Sequence, residues 1–98
     1  SCAADTEEKR KNRFEMIENI ETDGSQALID KMLPNLIGEF TKENNQNLMT
    51  ELGRMFLDAA PQSAIAALRG MAERADHCHL LPEINVPTLL IFGAEDAV

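Results

Sequence analysis

The residues with the most chemical potential stand near the end of the chain. Glu95 and Asp96 follow Gly93, which closes Thr88-Leu-Leu-Ile-Phe92, a run of apolar or β-branched residues without alternation. A continuous apolar run bounded by turn signals predicts a strand covered on both faces, as in a parallel sheet between helical layers. In doubly wound sheets, ligands and catalytic groups gather just past the carboxyl ends of the strands, so this turn carries two carboxylates where function is usual. The plainer alternative is a solvated turn. His77-Cys78-His79 brings two imidazoles and a thiol together. Those are zinc ligands, but alternate residues of an extended segment point to opposite sides and no second Cys or His pair completes a tetrahedron, so no metal is expected. Ser25 follows Gly24 without a second glycine or a preceding apolar strand, so it reads as a helix cap and not a nucleophile; no G-x-S-x-G occurs in these residues. Arg74 and Asp76 predict a local salt bridge near a helix end.

The elements that must position these groups are mostly helical. Thr6 can cap a helix over about 7–22, with Glu7 and Glu8 at the positive end of its dipole, Phe14, Ile17 and Ile20 on one face and Gly24 as a left-handed stop. Ser25 opens a second helix whose stripe is Leu28, Ile29, Met32 and Leu33, broken at Pro34. Pro34 can also open a short third turn, Asn35 to Phe40, ending near Gly38. Thr41 then precedes the most periodic segment, in which Leu48, Leu52, Met55, Phe56 and Ala59 form a face wide enough to pack on a core. Pro61 suits the first position of a further helix, buried through Ile65, Leu68 and Ala72 and running to Arg74. Pro82 and Pro87 then require a loop into the strand. That strand needs neighbours, and only Ser1-Cys2-Ala3-Ala4 could supply one here, so most of the sheet lies elsewhere.

Composition narrows the classes of function. Ninety-eight residues form one domain at most; 44% hydrophobic and 27% charged residues are ordinary for a folded chain. Nine basic against 17 acidic residues give a net charge of −8. The sole basic cluster, Lys9-Arg10-Lys11 with Arg13, is interleaved with Asp5, Glu7, Glu8 and Glu15, so nucleic acid is not an expected partner. No apolar run reaches the roughly 20 residues of a membrane span. Cys2 and Cys78, 76 positions apart without CxxC spacing, predict reduced thiols in a cytoplasmic protein. The chain begins at Ser1 and not Met, which reads as a piece of a longer product. The five methionines (16, 32, 49, 55 and 71), with Phe14, Phe40 and Phe56, form an adaptable apolar inventory, most of it core and a minority available to a pocket.

The segment Met71-Ala-Glu-Arg74-Ala-Asp76, followed by Leu80-Leu81-Pro82-Glu-Ile84-Asn-Val86-Pro87-Thr-Leu-Leu-Ile-Phe-Gly93-Ala-Glu-Asp96, resembles the α/β-hydrolase family. It looks like the stretch that joins the lid to the late core strand, whose following turn holds the acid of a Ser–acid–His triad. The resemblance implies that residues 1–5 end a core strand, that 6–60 form a helical lid, and that 61–98 form the returning core helix, loop and acid-bearing strand. The chain as given is thus expected to be mostly α, with one or two strands excised from a doubly wound sheet. It further implies Asp96 as the triad acid, three residues after Gly93, with Glu95 as its rival. His77 and His79 precede the acid and do not match the family's catalytic histidine. The expected function is therefore a part of a serine hydrolase of esters, lactones or related carbonyl compounds, inactive alone. It needs no cofactor, its partners are an ester-like small molecule and the rest of the hydrolase core, and it is expected to self-associate as a homo-oligomer. The alternative is a free-standing acidic helical module that binds a protein partner through its apolar helix faces.

Overall fold

Local signals start the chain's first helix as its residue types predict. The computed structural model describes residues 2–96; Ser1, the first residue of the expected Ser1–Ala4 strand, and Ala97 and Val98 lie outside the described residues. Thr6 Oγ1 accepts a hydrogen bond from Lys9 N at 3.2 Å, satisfying one orphan donor of the first turn, and α1 runs Glu7–Asp23. It stops at Gly24, whose φ of 68° is a conformation that a β-carbon would strain. There follow α2 (Gln26–Lys31), α3 (Leu33–Leu36), α4 (Glu39–Asn44), α5 (Gln46–Asp58) and α6 (Pro61–Ala72). Pro61 takes the first turn of α6, where its missing N–H costs nothing. A 3₁₀ helix, Cys78–Glu83, carries Pro82 where a plain loop was expected.

The core forms where α1 lies against α6 and α2, and α2 against α5. Ile17, Ile20, Ala27, Leu28 and Leu68 are buried together, and Met16, Met32, Phe56, Ala64, Ile65 and Met71 pack around them. The expected stripes on α1, α2 and α6 therefore face one another, except that Phe14, expected on the α1 face, is 40% exposed and outside the core. The molecule is mostly α, and no strand forms among the described residues. No helix among them is long and apolar enough to cross a membrane.

Several expectations are corrected. Pro34 does open a short helix, but that helix, α3, stops at Leu36 and not near Gly38, and α2 already ends at Lys31, one residue before Met32. Gly38 caps the start of α4 and does not end a turn; the cap of α5 is Asn45, whose Oδ1 accepts from Leu48 N at 3.1 Å. The face expected of α5 to build the core does so only through Phe56; no residue of α5 is buried, and Met55 is 59% exposed. Periodicity reports that a helix has an apolar face, but not how much neighbouring mass there is to cover it. Ser25 Oγ makes no cap bond and instead donates to Ala59 O, 3.1 Å away, fastening the start of α2 to the end of α5.

The largest correction concerns the cysteines. Cys2 and Cys78 form a disulfide, with Cα atoms 4.9 Å apart. Distance along the chain gave no hint of this, because the pairing of α1 with α6 returns the chain beside its own start. Arg74 likewise does not pair with Asp76. Its Nη2 donates to Ala3 O at 2.8 Å and lies 3.8 Å from Asp5 Oδ1, while Asp76 Oδ1 accepts from Cys78 N at 2.8 Å.

Candidate functional site

The carboxylate turn is built by its own backbone and by the start of α4. Asp96 N donates to Gly93 O at 3.3 Å, closing the turn, and Glu95 Oε1 accepts a long hydrogen bond of 3.4 Å from Glu39 N at the first residue of α4. Gly38 permits this approach, since a β-carbon there would fall 2.5 Å from Glu95 Oε2. Residues 93–96 and the α3–α4 region, including Asn35, Leu36, Gly38 and Thr41, enclose an open cleft of about 690 Å³. Of the two candidate acids, Glu95 is thus engaged with the helical unit, and Asp96 lies on the same cleft with its backbone in the turn. Both are exposed, as is the Leu89–Phe92 run that leads to them.

A second groove, of about 510 Å³, runs between α1, α2, α3 and α6. Met16, Met32, Leu36 and Leu68 give it apolar walls, and Lys9, Arg13 and Lys31 line it with cations. Two of the five methionines therefore face a cavity while also packing on the core, Met71 is core, and Phe40 is 75% exposed. Ser25, with its hydroxyl given to Ala59 O, holds two helices together. The His77-Cys78-His79 triplet serves at the chain's neck: Cys78 sulfur is taken by the disulfide, which removes it as a thiolate ligand, and His77 N donates to Cys2 O at 2.9 Å.

The same neck holds a charged cluster that sequence reading missed. Asp5, its side chain 3% exposed, receives the Arg13 guanidinium through Nε on Oδ2 and, at 3.3 Å, through Nη2 on Oδ1; Arg74 Nη2 lies 3.8 Å from the same Oδ1. The hydrogen-bonded Arg13 holds the Asp5 carboxyl below its ordinary value against the opposing effect of burial, with the charges of Arg13, Arg74 and Lys9 adding attraction. The Arg13 partner could have been sought two turns along α1, but nothing in the spacing of Arg74 and Asp5 announces their meeting.

Comparison with known proteins adds a chemical direction. No family model matches, and no solved structure matches. Over 51 residues the chain is 45% identical to the pimeloyl-acyl-carrier protein methyl ester esterase of Neisseria meningitidis serogroup C, covering 52% of this chain and 18% of that protein. Its counterpart in serogroup A is 45% identical over 51 residues, with 52% and 15% covered, and that of serogroup B strain MC58 is 49% identical over 51 residues, with 48% and 19% covered. The chain thus spans less than a fifth of the length of these relatives. What it shares with them is a stretch of a methyl ester esterase, and that is the class of protein this chain is similar to.

Proposed function

We propose that these residues form the helical lid, the returning helix and the acid-bearing segment of a serine α/β-hydrolase that cleaves a carboxylic ester. The observation that carries this reading is 45–49% identity over 51 residues to methyl ester esterases. The substrate class follows from what those relatives act on: the methyl ester of an acyl chain borne by a carrier protein. The groove walled by Met16, Met32, Leu36 and Leu68 supports it, because an acyl chain needs apolar surface to leave water. The exposed Leu89–Phe92 run supports it too, as a strand whose ladder partners belong to the hydrolase sheet.

In this mechanism Asp96 accepts a hydrogen bond from the Nδ1–H of a histidine outside these 98 residues. That bond holds the tautomer whose Nε2 can take the proton of a serine hydroxyl, and the carboxylate stabilises the imidazolium that results. The serine then attacks the ester carbonyl, methanol leaves with the histidine's proton, and water releases the acid from the acyl-enzyme. Glu95 acts on the lid side, through Glu39 N, and not on the histidine. The reaction calls for no cofactor, and the proposed setting is the cytoplasm.

The test is made in the enzyme that carries this segment. Asp96→Asn is expected to lower kcat on the order of 10⁴-fold, the loss seen when a triad acid becomes an amide, with folding retained. A silent Asp96→Asn beside a crippling Glu95→Gln would move the acid by one residue and keep the class of reaction. If both are silent, the triad assignment fails.

A further inference from the structure

We propose that Cys2 and Cys78 form a redox-operated clamp, which fastens the two ends of the helical unit to each other when oxidised and lets them part when reduced. The two residues stand on the two necks of that unit, Cys2 just before α1 and Cys78 just after α6, with Cα atoms 4.9 Å apart. That separation lies within the range a disulfide spans without moving the backbone. Both residues are half-buried and not sealed in the core, so an external thiol can reach the sulfurs. His77 and His79 flank Cys78, and His77 N donates to Cys2 O at 2.9 Å, so the triplet's backbone ties the two necks beside the bond. This gives the His-Cys-His triplet a role that neither a metal nor the proposed triad provides.

The buried apolar cluster of Ile17, Ile20, Ala27, Leu28 and Leu68 stands apart from these necks. Once the S–S bond opens, residues 2–5 are held to the neck by polar ties: His77 N to Cys2 O, Arg74 to Ala3 O, and the Asp5 ion pairs. The single hydrogen bonds from His77 and Arg74 are weak individually, while the Asp5 pairs, buried on the Asp5 side, keep position 5 on α1, so reduction loosens residues 2–4 and 76–80 and spares the helical core. In the exchange, the thiolate of a dithiol reductant attacks one sulfur, the S–S bond breaks, and the other sulfur leaves as thiolate. The reductant's second thiol then closes on the mixed disulfide. Two electrons and two protons pass to Cys2 and Cys78, and the dithiol becomes a cyclic disulfide.

The clamp stands independently of the proposed esterase reading, and its test uses no substrate. The chain is equilibrated across a series of reduced to oxidised dithiothreitol ratios. Maleimide labelling then counts thiols, and hydrogen exchange is followed by mass spectrometry. Reversible passage between zero and two reactive thiols in the folded chain is expected. Amide exchange over 74–80, where His77 N donates to Cys2 O, should rise at least tenfold on reduction, while the amides over 20–28 stay protected at the times when the necks have exchanged. Cys2→Ser and Cys78→Ser should hold the loosened pattern in every buffer; should either fail to fold, the reduced native chain supplies the same reading. The proposal is overturned if the pair never oxidises, if it reduces only on denaturation, or if exchange at the necks is the same in both states.

Discussion

The tail over 84–96 carries a larger share of apolar residues than the helical unit over 7–72, yet the helical unit closes a core and the tail lies open. Ile20 is 1% exposed while Ile91 is 84% exposed. The difference lies in where each segment's backbone hydrogen bonds go. A helix satisfies its own, so α1, α2, α5 and α6 can form first and then bury whichever faces meet. A strand must borrow partners, and Thr88–Phe92 has no ladder among the described residues. An apolar residue in this chain is therefore worth what its element can bring it to touch, and hydrophobicity alone does not decide it.

The sharpest way to break that contrast is to cut the same side chain down on each side of it. Ile20→Ala should destabilise the chain by about 4 kcal/mol, enough to remove most of the stability of so small a domain, read as the loss of a cooperative thermal transition near room temperature. Reduction of the disulfide comes next. A native disulfide typically contributes about 3 kcal/mol, so thermal melting with reductant should fall by roughly 12–24 °C at the usual 4–8 °C per kcal/mol. A fall much smaller than that would mean that the denatured chain already keeps its ends together.

Acid should act on the helical unit through Asp5. Its native carboxyl titrates below the ordinary value of 3.8, chiefly because of the Arg13 hydrogen bond. The unfolded state thus takes up the proton first: the contribution is whole above about pH 4 and lost as pH falls through the lowered native value. Asp5→Asn should flatten that acid limb in a pH series of melting curves and leave the neutral region closer to the parent than Ile20→Ala does. The smallest effect on stability is expected in the tail. Ile91→Asp should change melting by less than about 0.5 kcal/mol, since the side chain is already in water. The same substitution should reduce concentration-dependent self-association in sedimentation, where an unpaired apolar segment is expected to find a second copy. Strong destabilisation by Ile91→Asp would show that the tail packs on the helices in solution, and the contrast between the two regions would collapse.

Much of the helical layout could be read from residue types because its causes are local. Thr6 with Lys9, Gly24 at positive φ and Pro61 at a helix start each act over a few positions, and the stripe of Ile17 and Ile20 needs one helix to be seen. Reading failed where a group had a choice of partner. Ser25 could cap or reach Ala59, and it reaches; Arg74 could take Asp76 or Asp5, and it takes Asp5; α5 announces a core face and mostly lacks a neighbour to cover it. The carboxylate turn was visible from Gly93 and the run before it. Glu95's attachment to α4 was not, because it joins residues 56 positions apart.

By itself the sequence determined the longer helices α1, α5 and α6, the start at Thr6, the stop at Gly24, the start at Pro61 and the buried stripe of Ile17 and Ile20, since these follow from hydrogen bonds and periodicities a few residues long. Only the tertiary structure decided that the chain's two necks meet, that Cys2 reaches Cys78, and that Asp5 is shared by Arg13 and Arg74. Those pairings depend on the direction in which α6 returns along α1. That direction is set by the packing of Ile17, Ile20 and Leu68 together, a contact no local spacing encodes.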